Sequence, residues 1–195
     1  MKILIIDCGH SLITAGKRCM KKLDANETRE WELNNGVAVV LQRIATQLGI
    51  MYVRVDDVTG MYDVPLKTRV DKANALKKQY PNAQIYYISI HFNAGANGGN
   101  AGGICVKYTT GNMNRITQAK RLYNLLIAHT GLVGNRRSHV VYQSLYVCRN
   151  TSMPALLVEL GFMDSKVDVP VILTQDHKNK CAQAICDFIN TEVVF

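Results

Sequence analysis

The sequence predicts a single α/β domain with a mostly parallel, twisted sheet flanked by helices. Short β-branched apolar runs alternate along the chain with longer segments whose apolar residues recur at helical spacing, and strands interleaved with helices build parallel sheets. The 195 residues suit one domain with one core, and no repeat, low-complexity tract or linker divides them. Three of the apolar runs end in His or Glu, and in open parallel sheets sites form beyond the carboxyl ends of strands.

The elements follow in chain order. Residues 2–7 are a β-branched apolar run, hence a buried strand. From about residue 28 to 48, Leu33, Val37, Leu41, Ile44 and Leu48 mark one helical face, and Gly49 stops the helix. Residues 51–55 form a second strand. A second helix covers about 64 to 79, opened near Pro65 and closed before Pro81. Residues 85–90 are a third, strongly apolar strand. The Gly/Asn-rich stretch 93–103 reads as a flexible loop that leaves its surroundings open and offers backbone groups to a ligand. Residues 103–108 are expected as a strand, 115–130 as a helix, 145–148 as a short strand, 155–160 as a buried strand and about 176–190 as the closing helix. The domain thus covers 1–190, with 191–195 a tail or truncated linker.

Composition narrows the partners. The chain has 23 Lys+Arg against 15 Asp+Glu, a formal net charge of +8, which suits nucleic acid, anionic membrane or the teichoic-acid phosphates of a cell wall without choosing among them. The six cysteines include no CxxC pair, so a structural zinc knuckle is not expected; Cys8, Cys105 and Cys148 lie in apolar segments and read as small core residues. The opening apolar run stops at Asp7 without a small-residue cleavage site, and no stretch has the length of a membrane span. The expectation is a chain made in the cytoplasm. Stacking aromatics on a basic strand, a finger and a helix-turn-helix signature are all missing, which argues against nucleic acid.

The chemistry gathers at strand ends. The first strand leads into Asp7-Cys-Gly-His10, the third into His91-Phe-Asn93, and the late one ends in Glu159. A carboxylate at the end of an apolar strand is costly to bury unless it is paired. Glu30 projects from the same helical face as Leu33, Val37, Leu41 and Ile44, so it faces the core, whereas Glu32 reads as solvated. A first-turn Glu complements the helix dipole, but that does not explain a core-facing one; a metal would. His10, Glu30 and His91 make a two-His, one-carboxylate set of the kind that holds catalytic zinc and leaves a fourth position to water. Glu159, not a ligand, can then act as general base. His129, His139 and His177 have no partner at ligand spacing and are read as surface residues.

These segments resemble the zinc-dependent N-acetylmuramoyl-L-alanine amidases (third amidase family) of bacteria and their phages. Asp7-Cys-Gly-His10 is similar to the family's Asp-x-Gly-His, and Glu30-Trp-Glu-Leu-Asn34 to its Glu-x-x-x-Asn. Arg69-Val-Asp-Lys-Ala73-Asn74 is similar to Arg-x-x-x-Ala-Asn, and Ser89-Ile-His91-Phe-Asn93-Ala94 to Ser-x-His-x-Asn-Ala. Pro154-Ala-Leu-Leu-Val-Glu159-Leu-Gly161-Phe162 is similar to the segment that carries the catalytic Glu. Ser11-Leu12 and Cys8 depart from the family's usual Gly-Gly and Pro.

The resemblance implies a phosphorylase/hydrolase-like fold, one Zn2+ on His10, Glu30 and His91, catalysis by Glu159, and substrate contact at Asn93. It implies cleavage of the amide between N-acetylmuramic acid and L-alanine of peptidoglycan, and the basic net charge suits anionic wall polymers as further partners. With no secretory signal read in the sequence, the expected biological form is a phage endolysin catalytic domain, acting on the wall after release from the host cytoplasm, with a bacterial autolysin or spore-lysis enzyme as the alternative. The rival readings are a zinc carboxypeptidase or aminopeptidase, which would want a terminal-carboxylate site or a second metal, and a non-catalytic wall-binding module, which would lack Glu159 or a ligand.

Overall fold

In the computed structural model, which describes residues 1–109 and 113–191, six strands form one sheet in the order β2-β1-β3-β6-β4-β5. Along the chain the elements are β1 (Lys2–Cys8), α1 (Glu30–Gln47), β2 (Met51–Arg54), α2 (Leu66–Gln79), β3 (Gln84–Asn93), β4 (Cys105–Tyr108), α3 (Met113–Thr130), β5 (Val140–Tyr142), α4 (Tyr146–Asn150), β6 (Ala155–Phe162), α5 (Val169–Ile172) and α6 (Gln175–Thr191). β2, β1, β3 and β6 are mutually parallel; β4 pairs antiparallel with β6, and β5 runs parallel to β4. The expected mostly parallel α/β sheet is therefore present, with its last two strands reversed.

Helices cover both faces, which is why the central strands read as near-continuous apolar runs. All eight residues of β6 are buried. On one face Leu4, Ile6, Ile88, Ile90, Val158 and Leu160 pack with Leu33, Val37 and Leu41 of α1, Leu122 and Leu126 of α3, and Ile185 and Phe188 of α6. On the other, Ile3, Ile5, Tyr87 and Leu157 pack with Val70 and Ala73 of α2 and Val147 and Cys148 of α4. All six cysteines are buried and free, as a core role requires. No helix among the described residues is long and apolar enough to cross a membrane.

Three local expectations need correction. Residues 145–148 are not a strand; Tyr146–Asn150 is a helical turn that seals the second core with Val147 and Cys148. Periodicity cannot separate strand from helix over so few residues. The neighbouring edge strand β5, Val140–Tyr142, carried no legible signal because it has one weak pairing partner and is only half-buried. Helix α1 begins at Glu30 rather than near residue 28, because Thr28 is held outside the helix, its carbonyl accepting the Cys19 N–H at 2.8 Å. The closing helix runs to Thr191, and residues 192–195 of the expected tail lie outside the described residues.

The stretch 93–103 is also not the loose loop its composition suggests. The Asp164 carboxylate accepts the N–H groups of Gly95, Ala96 and Asn97 at 2.9, 3.1 and 2.9 Å. The Gly98 N–H donates to the Asp164 carbonyl at 2.7 Å, and Gly99 accepts from Lys166 at 3.0 Å. The anchors lie after β6, too far along the chain for a local reading to find. Gly98 sits at φ +75°, where a side chain is strained, so its small size serves the backbone path rather than mere openness.

Candidate metal centre

The site is built where β1 and β3 end side by side and α1 begins. Asp7 and Cys8 of β1 are in register with Ser89 and Ile90 of β3, so both strands deliver a His just beyond the same level. Gly9 makes the approach possible: its N–H donates to the Ile90 carbonyl at 3.0 Å, and a Cβ there would lie 2.0 Å from Cε1 of His91. His10 then adopts φ +63°, an uncommon conformation for a residue with a side chain.

Buried polar groups hold that turn in place. Arg69 of α2 donates to the Cys8 carbonyl at 2.6 Å and the Val64 carbonyl at 2.7 Å, and lies 3.5 Å from the His10 carbonyl. The same guanidinium pairs with the Asp7 carboxylate and with Asp63 at 3.0 Å. The other Asp7 oxygen accepts the hydroxyls of Tyr87 and Ser89, both at 2.8 Å. Asn34 of α1, fully buried, donates to the Gly9 carbonyl at 3.0 Å. Asn74 of α2 accepts the Ser152 N–H at 2.8 Å and donates to the Asn150 carbonyl at 2.9 Å, tying α2 to the entry of β6. The Asp-x-Gly-His, Glu-x-x-x-Asn and Arg-x-x-x-Ala-Asn residues are thus parts of one support.

Glu30, the first residue of α1 and almost fully buried, lies between the two imidazoles. Its Oε1 is 2.9 Å from His91 Nδ1 and accepts the Phe92 N–H at 3.2 Å; its Oε2 is 3.4 Å from His10 Nε2. The two rings stand edge to face with centroids 5.1 Å apart. One ligand atom from each of His10, Glu30 and His91 lies within 4.8 Å of the others. Zinc bonds of about 2 Å put tetrahedral ligand atoms roughly 3.3 Å apart, so two nitrogens and one oxygen at this spacing fit the ion after small side-chain adjustments.

Charge and burial set the resting protonation. Burial pushes His10 down, and the nearby Glu30 carboxylate only partly offsets it, so its pKa ends below the ordinary value. Burial also opposes charge on His91, but the hydrogen bond and charge of Glu30 outweigh it and the pKa ends raised. For Glu30, burial favours the neutral acid, yet the His91 hydrogen bond and the two imidazoles win and hold it below the usual carboxylate range. The 2.9 Å contact thus favours a protonated His91 beside an ionised Glu30.

Glu159 is brought to the same place by sheet register, opposite His91 on the parallel neighbour. A recess of about 280 Å³ is lined by His10, Glu30, His91, Asn93 and Glu159 together. A larger, mainly apolar recess of about 600 Å³ opens on the other side of His10 and His91, between the starts of α2 and α4. Glu30 and Glu159 line the smaller one, whereas the carboxylates of the larger one, Asp7 and Asp63, are both paired with Arg69. Asn93 keeps its own Oδ1 on the Ala94 N–H at 2.9 Å.

Of the histidines read as surface residues, His177 is buried, with Nε2 2.9 Å from the Leu160 carbonyl. His129 pairs with Asp187 at 2.9 Å and His139 stacks on Tyr123, both half-buried. None joins the centre. Sequence reasoning missed Lys107, whose Nζ is 2.7 Å from Glu159 Oε1. Its one available signal was an ionisable residue inside an otherwise apolar strand.

The family described as N-acetylmuramoyl-L-alanine amidase matches residues 4–191 of the chain. A Staphylococcus aureus protein described as probable cell wall amidase LytH is 29% identical over 188 residues, covering 95% of this chain and 56% of the relative. The chain thus spans about half the length of the curated relatives it matches. The catalytic domain of CwlV, an N-acetylmuramoyl-L-alanine amidase from Bacillus (Paenibacillus) polymyxa var. colistinus, superposes with a TM-score of 0.81 at 26% identity, covering 97% of each chain. An N-acetylmuramoyl-L-alanine amidase from Clostridium difficile 630 shares the fold, with a TM-score of 0.79 at 23% identity over 98% of each chain.

Proposed function

The chain belongs to the N-acetylmuramoyl-L-alanine amidase family, and from that premise we propose that it hydrolyses the amide between N-acetylmuramic acid and L-alanine in peptidoglycan. The observation that carries the proposal is the convergence of His10, Glu30 and His91, with their ligand atoms within 4.8 Å, on a recess that Glu159 also lines. The three would hold one zinc ion, which when bound lowers the pKa of a water molecule toward 7 and polarises the scissile carbonyl. Glu159 takes a proton from the attacking water as the water oxygen adds to the carbonyl carbon. The carbon–nitrogen bond then breaks, and Glu159 returns the proton to the leaving amine of L-alanine. Asn93, at the rim, is read as a substrate contact. The larger recess gives room for the rest of a muropeptide beside the reacting bond.

In this reading the catalytic unit extends through Thr191, the last residue of α6. The net charge of +8 suits retention near anionic wall polymers, with neither nucleic acid nor membrane insertion required. The setting we favour is an endolysin that reaches the wall after release from the host cytoplasm.

The test is digestion of purified peptidoglycan with mass spectrometry of the fragments, beside elemental analysis of the enzyme. Free N-terminal L-alanine and about one zinc per chain are expected, the metal being lost in His91→Ala. Glu159→Ala should keep the zinc while turnover falls by on the order of 10²–10⁴. Full activity in a metal-free preparation, or in zinc-loaded Glu159→Ala, rejects the corresponding role.

A further inference from the structure

The general base assigned above is itself gripped by a residue with no role in that scheme. On β4, Cys105 is in register with Glu159 and Lys107 with Leu157, so Lys107 and Glu159 share one face of the sheet on adjacent strands. The Lys107 ammonium donates to Glu159 Oε1 at 2.7 Å, with the side chains only 14% and 9% exposed. The other oxygen, Oε2, is buried and has no hydrogen-bond partner among the described residues. Lys107 does not line the small recess, whereas Glu159 does.

We propose that Lys107 is a positioning residue for the hydrolysis: by clamping Oε1 of Glu159 it fixes the orientation of the carboxylate that receives the water proton. The proposal rests on Glu159 being the base. The terminal torsion of a glutamate is broad and nearly two-fold, so an untethered carboxylate exchanges its oxygens and samples positions away from the reacting atoms. A partner fixed on one oxygen removes that freedom. The pair also answers an electrostatic need, because Glu30 and Glu159 bring two carboxylates to one recess and the ammonium offsets the second from behind. A purely structural ion pair would act differently. Buried pairs are often close to neutral for stability, and such a role would appear in unfolding, not in turnover.

The experiment uses the zinc-loaded full chain and a soluble N-acetylmuramoyl-L-alanyl peptide, following amine release. Lys107→Met, and Lys107→Gln as a second removal should the first not fold, are compared with Lys107→Arg. Removal should lower kcat by on the order of ten- to a hundredfold, the scale of a small misplacement of a reacting group, with KM and zinc content little changed. Lys107→Arg should restore most of the lost kcat. In a Glu159→Gln background, removing Lys107 should have no further effect, because its influence passes through that carboxylate. Unchanged kcat in a folded removal variant overturns the proposal, as does a loss that multiplies with that of Glu159→Gln. If zinc-loaded Glu159→Gln is itself fully active, it is the base assignment that fails.

Discussion

At the residue scale, Gly9 decides how close the two strand ends can come. A methyl group there would overlap the His91 ring at 2.0–2.4 Å, and the ring is held from the other side by Glu30 at 2.9 Å. Gly9→Ala must therefore displace either His91 or the end of β1. Zinc affinity is expected to weaken by roughly ten- to a hundredfold, the usual effect of disturbing the shell around a metal ligand. Competition with a chromophoric chelator measures this, and an unchanged affinity would mean that His91 can retreat without leaving the metal. The same scale explains why a single glutamate matters. Glu30 lies at hydrogen-bonding distance from His91 and 3.4 Å from His10, so one carboxylate sets the spacing of both rings.

At the element scale, α2 acts through one side chain. Arg69 leaves the first turn of the helix, is 1% exposed, and reaches Asp7 and the Cys8 carbonyl in β1 and its exit. Removing it leaves the Asp7 charge buried with only two hydroxyl donors. Arg69→Met should cost about 3–5 kcal/mol in urea unfolding, the range for breaking a buried pair on one side. Arg69→Lys should recover little, since an ammonium cannot reproduce the planar fork that serves several acceptors at once. A loss below about 1 kcal/mol would show that Asp7 is neutralised by other means.

At the scale of the whole molecule, metal binding and folding are linked through protonation. In the metal-free protein the imidazolium of His91 is favoured by Glu30, so that pair stabilises the fold below the raised His91 pKa and its contribution fades as pH rises through it. Metal needs the neutral ring, so its stabilisation runs the opposite way with pH. The gap in Tm between zinc-loaded and chelator-stripped protein should widen from about pH 6 to about pH 8. A gap that stays constant over that range, measured by calorimetry at fixed free zinc, would indicate that His91 does not exchange a proton for the ion.

What the sequence determined by itself was whatever has a local or periodic signature. The apolar runs at β1, β3 and β6, the stripe of α1 with Glu30 on its inward face, and the His and Glu at strand ends were all legible, because burial on a sheet or helix face imposes a pattern on adjacent residues. Only the tertiary structure decided the rest. Whether 145–148 was helix or strand depended on what covers Val147 and Cys148. The fixing of 93–103 depended on Asp164, and the reversal of β4 set Lys107 beside Glu159. Burial of His177 likewise came from the seating of α6 on the sheet. Each of these is a contact between residues distant in the chain. Such contacts leave no period to read, because they are chosen by strand order and register and not by neighbours in sequence.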